Sequence, residues 1–245
     1  MQALTEAKIR QAGEGGLVVI FGEKIAPGVH ERVQGFIKSL RQLEISAIRE
    51  IVPSYCSVMI YFDVLEIPGS QMRHLAERAL RELEPVTKGP SKVLHVPVCY
   101  DGVLAPDLDN VLRLTGLTRG ELLKVLTSRP YLVYLTGFSP GFPYMGNLPF
   151  SVPRQASPRR AIPVGSVGLG GNQTGIYTVT VPGEWNIIGR TPLKIFDAGR
   201  PEPFLLSAGD YVQFEEIDIG QYFKLRRQVA DNLYQPQTSE EEVRA

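Results

Sequence analysis

Apolar residues in the first 100 positions recur with two spacings, one typical of strands and one typical of helices. Apolar side chains at helical spacing follow Pro27 and Pro68, so each proline is predicted to open a helix. Short apolar runs rich in β-branched residues are predicted as strands at residues 17–21, 46–52, 57–64 and 92–99. The order β-α-β-β-α-β is the ferredoxin-like split βαβ pattern. We therefore assign residues 1–90 to a small α+β domain, and leave open whether its last strand is shared with the next domain.

The remaining chain is predicted to be mainly β. Residues 107–115 look helical, and TRGE at 118–121 has the spacing of a capping box that opens another helix. Strand-like runs separated by Gly and Pro follow at residues 131–136, 176–181, 193–196 and 211–217, and a helical period returns near 218–230. Many short strands with such turns indicate a β-barrel or sandwich. We assign residues 91–230 to a barrel domain and predict that the polar, acidic tail 231–245 is disordered.

One segment of this second domain has an unusual composition. Residues 137–192 contain ten glycines, eight prolines and only five charged residues, and aromatic side chains occur throughout. Glycine permits close backbone approach and proline fixes the backbone, whereas disordered segments are poor in aromatics. The composition therefore predicts a rigid, irregular surface built for recognition, with a bias towards positive charge.

Charge and composition exclude several classes of partner. A formal net charge of zero argues against binding to nucleic acid or to a membrane surface. The first residues, MQALTEAKIRQ, lack the apolar region of a signal peptide, and no apolar run reaches membrane-spanning length, so we expect a cytoplasmic protein. The three scattered histidines predict no metal site. Cys56 and Cys99 form no CxxC motif and are expected to be buried, reduced thiols.

GFSPG at residues 137–141 matches the G-x-S-x-G nucleophile elbow of serine hydrolases and follows a predicted strand. Two features argue against that function for Ser139. Pro140 has no backbone N–H to offer an oxyanion, and every histidine precedes the serine in the chain. The preferred interpretation is a proline-stiffened loop that presents its aromatic side chains.

The glycine-rich run GSVGLGGNQTG at residues 165–175 suggests a phosphate loop, but it fits no known pattern. It lacks the GK[ST] ending of a Walker A loop, and Gln173 stands where the third glycine of G-x-G-x-x-G would fall. Tight turns between barrel strands explain the glycines equally well, so both interpretations remain open.

Arginine side chains in the same segment favour anion binding. Arg154 and Arg159 each follow a proline. Because proline restricts the backbone, less conformational entropy is lost when the guanidinium is positioned. Arginine is suited to bidentate capture of carboxylate or phosphate groups. Glu184 is the only acidic residue in the segment that could pair with them. We hypothesise that Arg154, Arg159 and Arg190 converge on one pocket.

These motifs together resemble the allophanate hydrolase subunit 1 family, which includes the B subunit of 5-oxoprolinase and the sporulation kinase inhibitor KipI. The resemblance covers about residues 15–225 and rests on five stretches of sequence: GFSPGFPYMGNLP, PRRAIPVGSVGLGGNQTGIY, PGEW, IGRTPLKIFD and AGDYVQF. Two positions depart from the family's common pattern. Leu126 replaces a histidine, and Glu184 replaces the second glycine of PGGW and is expected to pair with a neighbouring arginine.

The resemblance implies a cyclophilin-like β-barrel for the C-terminal half and a small α+β domain for the N-terminal half. It also implies a non-autonomous subunit that acts with the companion C and A subunits of 5-oxoprolinase to hydrolyse 5-oxoproline to glutamate, driven by ATP. Two alternatives come from the same family. One is an inhibitor that binds a sensor histidine kinase and blocks its autophosphorylation, and the other is a carboxyltransferase-type module of urea or allophanate metabolism.

Site residues follow from the leading hypothesis. The three arginines would contact the substrate anion, and Gly165, Ser166 and Gly168 would add donors from a glycine-rich loop. Gln173 and Tyr177 would orient the substrate. Interfaces favour aromatic anchors, so contacts with a partner are assigned to a separate set: Phe138, Pro140, Phe142, Tyr144 and Trp185. No residue of this chain is predicted to act as nucleophile or base.

Overall fold

The structure is a computed structural model that describes residues 7–83 and 91–241. These residues fall into two compact units, residues 7–83 and residues 91–241. The predicted domain boundary after residue 90 lies in the segment 84–90, outside the described residues. Within the described residues, every helix is too short or too polar to cross a membrane.

The first unit is a four-stranded antiparallel sheet with two helices. Its elements are β1 (Lys8–Gln11), β2 (Gly16–Ile20), α1 (Pro27–Gln42), β3 (Ile48–Pro53), β4 (Ser57–Phe62) and α2 (Gly69–Arg81), and the strand order is β1-β2-β4-β3. Both helices begin at or next to the prolines named above, as predicted. The apolar faces of the helices and of the sheet bury a single core that includes Leu17, Phe36 and Met72.

The ferredoxin-like prediction is not confirmed for this unit, because the expected last strand is absent from its sheet. The edge position beside β2 is taken instead by β1, which the sequence analysis did not predict. A tight connection joins the two strands, with the Ala12 N–H donating to Gly16 O at 2.9 Å. Such a local pairing closes a short loop and so costs little chain entropy.

The second unit contains a curled eight-stranded sheet. Its strands are β5 (Ser91–Val98), β6 (Tyr131–Thr136), β7 (Pro143–Met145), β9 (Ser166–Gly170), β10 (Gln173–Ile176), β12 (Asn186–Arg190), β13 (Tyr211–Glu216) and β14 (Thr238–Glu241), in the order β12-β9-β10-β7-β6-β13-β5-β14. Cys99, directly after β5, pairs with Arg190 at the end of β12 through two backbone hydrogen bonds of 2.9 Å. This bridge links distant strands of the sheet, so the sheet curls towards a barrel.

β5 is an interior strand of the second sheet, between β13 and β14. The sequence analysis had placed it at the end of the first sheet. It pairs in parallel with β13 and antiparallel with β14. Its run from Val93 to Val98 is apolar on both faces except at His95, a pattern typical of strands inside large sheets. The sheet of the first unit, which packs its helices on one face, could not have covered both faces of such a strand.

Three α-helices, a short 3-10 helix at Gly102–Leu104 and a small second sheet complete this unit. The helices are α3 (Leu108–Thr115), α4 (Arg119–Thr127) and α5 (Ile219–Ala230), and β8 (Arg159–Ile162) pairs with β11 (Val181–Gly183). The capping box at α4 is confirmed, since Thr118 and Glu121 exchange side-chain to backbone hydrogen bonds. The predicted strand at residues 193–196 is wrong: this segment forms only an isolated bridge between Phe196 and Phe204.

The prediction of a disordered tail is wrong for residues 238–241, which form β14. The backbone of β5 would otherwise present an unpaired edge, and β14 satisfies it. Side chains add to this pairing, since the His95 ring lies 2.8 Å from Glu215 Oε1 and 2.9 Å from Ser239 Oγ. Backbone pairing and side-chain hydrogen bonds thus hold β14 against β5, although β14 has little apolar surface. Residues 242–245 of the predicted tail lie outside the described residues.

Candidate functional site

Glycines on β9 and β10 create a flat face on which aromatic rings pack. Gly168 and Gly175 lie directly opposite each other in the antiparallel pair. A Cβ atom on Gly175 would lie 2.6 Å from the Phe142 ring, and one on Gly170 would lie 2.8 Å from Nε1 of Trp185. Real side chains do not approach this closely, so any larger residue would displace the rings. The glycine-rich composition therefore serves close packing of aromatic side chains.

Phe142 lies at the centre of the aromatic cluster. Its ring centroid lies 4.7 Å from that of Tyr144, 5.1 Å from Tyr177 and 5.6 Å from Trp185. The contacts with Tyr177 and Trp185 are edge-to-face, the geometry that aromatic quadrupoles favour. Phe138 adds an edge contact at 5.9 Å but stays 66% exposed. Its φ of +63° is uncommon for a residue with a Cβ, so the loop holds this ring outward at some conformational cost.

A pocket of about 330 Å³ opens between these rings. Its lining consists of aromatic residues, two prolines, one glycine and one pair of opposite charges: Phe138, Phe142, Tyr144, Arg154, Pro158, Tyr177, Pro182, Gly183, Glu184 and Trp185. We call it the aromatic pocket. Four of the five residues assigned to partner contacts thus line the same pocket as Arg154 and Tyr177. The fifth, Pro140, lines a neighbouring open cleft of about 450 Å³ with Phe138 and Phe204.

The two tyrosines of the aromatic pocket are neutral hydrogen-bonding groups. Burial raises the pKa of Tyr177 to about 12, and the neighbouring Tyr144 acts in the same direction. Burial also raises the pKa of Tyr144, although the positive charge of Arg154 acts in the opposite direction. Both phenols therefore keep their protons at neutral pH and can donate to an oxygen of a bound molecule.

Arg154 and Glu184 form the charged pair at this pocket. The guanidinium lies 3.9 Å from the carboxylate, and the two side chains are 60% and 47% exposed. The expected pairing of Glu184 with a neighbouring arginine is confirmed. An ion pair this long and this exposed is weak, because water screens both charges. A ligand carboxylate could therefore replace Glu184 on Arg154 at little cost.

Arg159 has a different environment, and its predicted role in binding an external anion conflicts with the structure. Both of its terminal nitrogens donate to Asp107, at 2.5 and 2.6 Å. Asp107 is 7% exposed and also accepts from the Ile187 N–H at 2.6 Å. This carboxylate raises the pKa of Arg159 and joins the start of α3 to β8 and β12. The sequence analysis placed Asp107 at a helix start but gave no sign of this partner.

The glycine-rich loop predicted to offer free donors is part of the sheet. The Gly165 N–H donates to Tyr177 O at 2.7 Å, and Gly168 pairs with strands on both sides. Gln173 begins β10 opposite Gly170. The structure thus favours the alternative that the sequence left open, in which these glycines belong to strands and turns. Ser166 and Arg190 lie opposite each other on β9 and β12.

The three arginines do not share one pocket. Arg154 lines the aromatic pocket, whereas Arg159 and Arg190 are not among its lining residues. The structure does not support the hypothesis of convergence, because Asp107 holds the Arg159 guanidinium and Arg190 lies where β12 meets Cys99. What the structure does bring together is Arg154, Tyr177 and the aromatic residues.

Ser139 lacks the surroundings of a nucleophile. Its hydroxyl lies 3.2 Å from Thr178 Oγ1, which itself donates to Pro140 O at 2.7 Å. The histidines lie on α1, α2 and β5, and His95 is engaged by Glu215 and Ser239. These contacts fit the interpretation of a stiffened loop. Among the described residues, no group of three or more His, Cys, Asp or Glu side chains could hold a metal ion.

The cysteines are free thiols with different exposures. Cys99 is buried and Cys56 only partly so, and burial raises the pKa of both. A raised pKa favours the unreactive thiol over the thiolate. Neither cysteine lines the aromatic pocket.

The curled eight-stranded sheet of the second unit fits a cyclophilin-like β fold. The urea carboxylase of Kluyveromyces lactis has the same fold, with a TM-score of 0.81 and 20% identity over 96% of this chain and 24% of that chain. Residues 7–206 match the family described as carboxyltransferase domain, subdomain C and D, and the chain belongs to this family.

Curated relatives agree with the resemblance stated from the sequence motifs, which is confirmed. The chain is 33% identical over 227 residues to the 5-oxoprolinase B subunit of Bacillus subtilis (strain 168), covering 88% of this chain and 95% of that protein. It is 38% identical over 178 residues to the 5-oxoprolinase B subunit of Escherichia coli O157:H7, covering 71% of this chain and 80% of that protein.

Proposed function

We propose that this chain is the B subunit of an ATP-dependent 5-oxoprolinase, which hydrolyses 5-oxo-L-proline to L-glutamate together with the C and A subunits. Support comes from the relatives that carry this subunit name, which the chain matches along most of their length. The observation in this chain that carries the proposal is the aromatic pocket, which offers flat apolar walls and one weakly paired guanidinium. A small ring that bears a carboxylate has complementary shape and charge.

Each part of such a substrate has a counterpart in the pocket. The ring would lie against Phe142 and Trp185, and its carboxylate would displace Glu184 from Arg154. Tyr144 and Tyr177, both kept protonated by burial, would donate hydrogen bonds to the lactam oxygen. These residues position the substrate, and none of them is placed to act as a nucleophile.

The chemistry would need partners, because a lactam is a stable amide. In the proposed reaction, the terminal phosphoryl group of ATP passes to the lactam oxygen and ADP leaves. Water then adds to the activated carbon and the C–N bond breaks, which gives γ-glutamyl phosphate. A second water hydrolyses this acyl phosphate, so the products are glutamate, ADP and phosphate. We assign ATP binding and water activation to the assembled complex. Residues that line the open cleft beside the pocket, Phe138 and Phe204, are exposed and suited to contact the C subunit.

The test reconstitutes the complex. The purified chain is mixed with the cognate A and C subunits, 5-oxoproline and ATP, and glutamate formation is measured. Arg154→Gln is expected to raise the KM for 5-oxoproline about tenfold or more, because a hydrogen-bonded charge pair with the carboxylate is lost. Arg160→Gln is the matched control, since Arg160 is exposed in the same segment. Full glutamate formation without this chain would refute the proposal.

A carboxyltransferase-type module is the second candidate, favoured by the description of the family to which the chain belongs. The same preparation separates the two candidates. Carboxyl transfer from a biotinylated carrier protein without ATP-dependent glutamate formation would support the second candidate over the first. The exposed Phe138 is also compatible with the kinase-inhibitor prediction, and an autophosphorylation assay with a sensor histidine kinase tests it.

A further inference from the structure

Asn186, the first residue of β12, is a buried asparagine that directly follows Trp185 of the aromatic pocket. It is only 1% exposed. Its side-chain oxygen accepts from Nε2 of Gln155 at 2.8 Å, and its side-chain nitrogen donates to Pro153 O at 2.9 Å. The two shortest hydrogen bonds of this side chain therefore go to the residues on either side of Arg154.

The main chain adds a third link between the same two segments. The Gln155 N–H donates to Glu184 O at 2.7 Å. The backbones that carry the weak ion pair of the pocket, Arg154 and Glu184, are thus joined next to the pair itself. Together with the two hydrogen bonds of Asn186, this link fixes the backbone of Arg154 relative to the pocket wall at Trp185.

The amide of Asn186 is itself held in one orientation. Its Oδ1 also accepts from Nδ2 of Asn110 at 3.2 Å, and its Nδ2 also lies within 3.4 Å of Leu169 O. The oxygen thus receives two donors and the nitrogen has two acceptors, which satisfies the amide. A flipped amide would place its nitrogen against the donors and its oxygen against the acceptors. A fully satisfied buried network of this kind favours a single arrangement.

The segment that carries Arg154 buries little surface of its own. Residues 153 and 154 are exposed, and so are residues 156–158 that follow. Val152 precedes them and is buried, with a backbone bridge to Gly171. A segment with so little buried apolar surface opens easily unless hydrogen bonds hold it. The hydrogen bonds from Asn186 are therefore placed where they determine the position of the Arg154 backbone.

We propose that Asn186 is a positioning residue, which holds Arg154 at the aromatic pocket so that its guanidinium meets a substrate carboxylate. This inference rests on the proposed function, in which Arg154 receives the carboxylate of 5-oxoproline. Asn186 does not line the aromatic pocket, so it acts through Arg154 and not on the substrate itself. Positioning matters because a displacement of about 1 Å can cost as much as a hundredfold in an enzyme's activity.

The test measures kcat and the KM for 5-oxoproline in the reconstituted complex. Asn186→Ala is expected to raise the KM about fivefold, because Arg154 loses its fixed position, and to leave kcat nearly unchanged, as expected when binding alone is weakened. In an Arg154→Gln background, the same change is expected to have no further effect on the KM. A merely structural role of Asn186 would act equally in both backgrounds.

A milder variant separates positioning from loss of the fold. Gln155→Met removes one hydrogen bond to Asn186 at a half-buried position and is expected to raise the KM about threefold. Gln213→Met is the matched control. It removes the same type of donor at another half-buried position, where Nε2 of Gln213 binds Thr127 O at 2.7 Å, and is expected to keep the wild-type KM.

Hydrogen exchange of the full chain adds a measurement that does not depend on catalysis. The Gln155 amide is expected to exchange faster in Asn186→Ala, while the amides of β13 keep their wild-type rates. The inference is overturned if this amide is unaffected, or if Asn186→Ala raises the KM equally with and without Arg154. It is also overturned, with the proposed function intact, if Arg154→Gln raises the KM and Asn186→Ala does not. If Arg154→Gln itself leaves the KM unchanged, the proposed function of the pocket fails as well.

Discussion

The ion pair between Asp107 and Arg159 should lose different amounts of stability depending on which partner is removed. Arg159→Met leaves the Asp107 carboxylate, which is 7% exposed, without its cation. Breaking a buried pair by removing one partner costs about 3–5 kcal/mol. We expect the lower end, about 3 kcal/mol, because Asp107 keeps its hydrogen bond from Ile187. Asp107→Asn leaves the cation instead, and Arg159 is 36% exposed and can regain water. We expect this change to cost about 1–2 kcal/mol.

The assay uses a natural reporter. Trp185 is the single tryptophan of the chain, lies in the second unit and is 5% exposed, so its fluorescence follows the unfolding of that unit in urea. Arg160→Gln serves as the control because it removes a neighbouring exposed charge, and it is expected to change stability by less than about 0.5 kcal/mol. The reasoning fails if Arg159→Met is no more destabilising than Asp107→Asn. It also fails if the double variant costs the sum of the two single changes, since coupled residues are not additive.

Three further predictions concern other parts of the chain. Gly175→Ala places a Cβ against the Phe142 ring and is expected to destabilise the second unit by about 1–3 kcal/mol in the Trp fluorescence assay. Gly120→Ala on α4 is the control: its Cβ would have no atom within 4 Å, so it should not destabilise the unit. His95→Leu removes the hydrogen bonds to β13 and β14, so the amides of β14 should exchange hydrogen faster while those of β9 do not. Burial lowers the pKa of His30 to about 4. Its neutral form therefore stabilises the first unit above pH 6.5, and this stabilisation is lost as the pH falls towards 4. His30→Leu should make the stability of α1, measured by hydrogen exchange, less dependent on pH, and an unchanged pH dependence would contradict this prediction.

The elements that the sequence predicts well are those defined by local patterns. The helices after Pro27 and Pro68, the capping box at Thr118 and the strand at residues 131–136 all follow from spacing within a dozen residues. The path of β5 does not, because its partner β13 lies more than one hundred residues further along the chain. An apolar run predicts burial in a sheet but does not say in which sheet.

For the site too, the sequence predicts the local composition but not the long-range contacts. The density of aromatics and glycines predicted a recognition surface, and the structure places most of the aromatics in one pocket. The sequence could not decide whether the glycines bound a ligand or accommodated rings, since both uses require a missing side chain. β14 was missed because it is polar and depends on backbone pairing with β5 and on His95, neither of which leaves a periodic pattern.

The three arginines show how the nearest acid determines what a cation can do. Arg159 has a buried carboxylate on both terminal nitrogens, so its charge is already used to hold the fold together. Arg154 has an exposed carboxylate at 3.9 Å, which a ligand can displace. Arg190 has no acidic partner among the described residues and lies opposite an unpaired hydroxyl. Neutralising Arg159 and neutralising Arg154 should therefore affect different measurements: stability for Arg159 and the KM for 5-oxoproline for Arg154. A single shared pocket would instead make both changes act on the same measurement, so the separation of these effects distinguishes the two arrangements in solution.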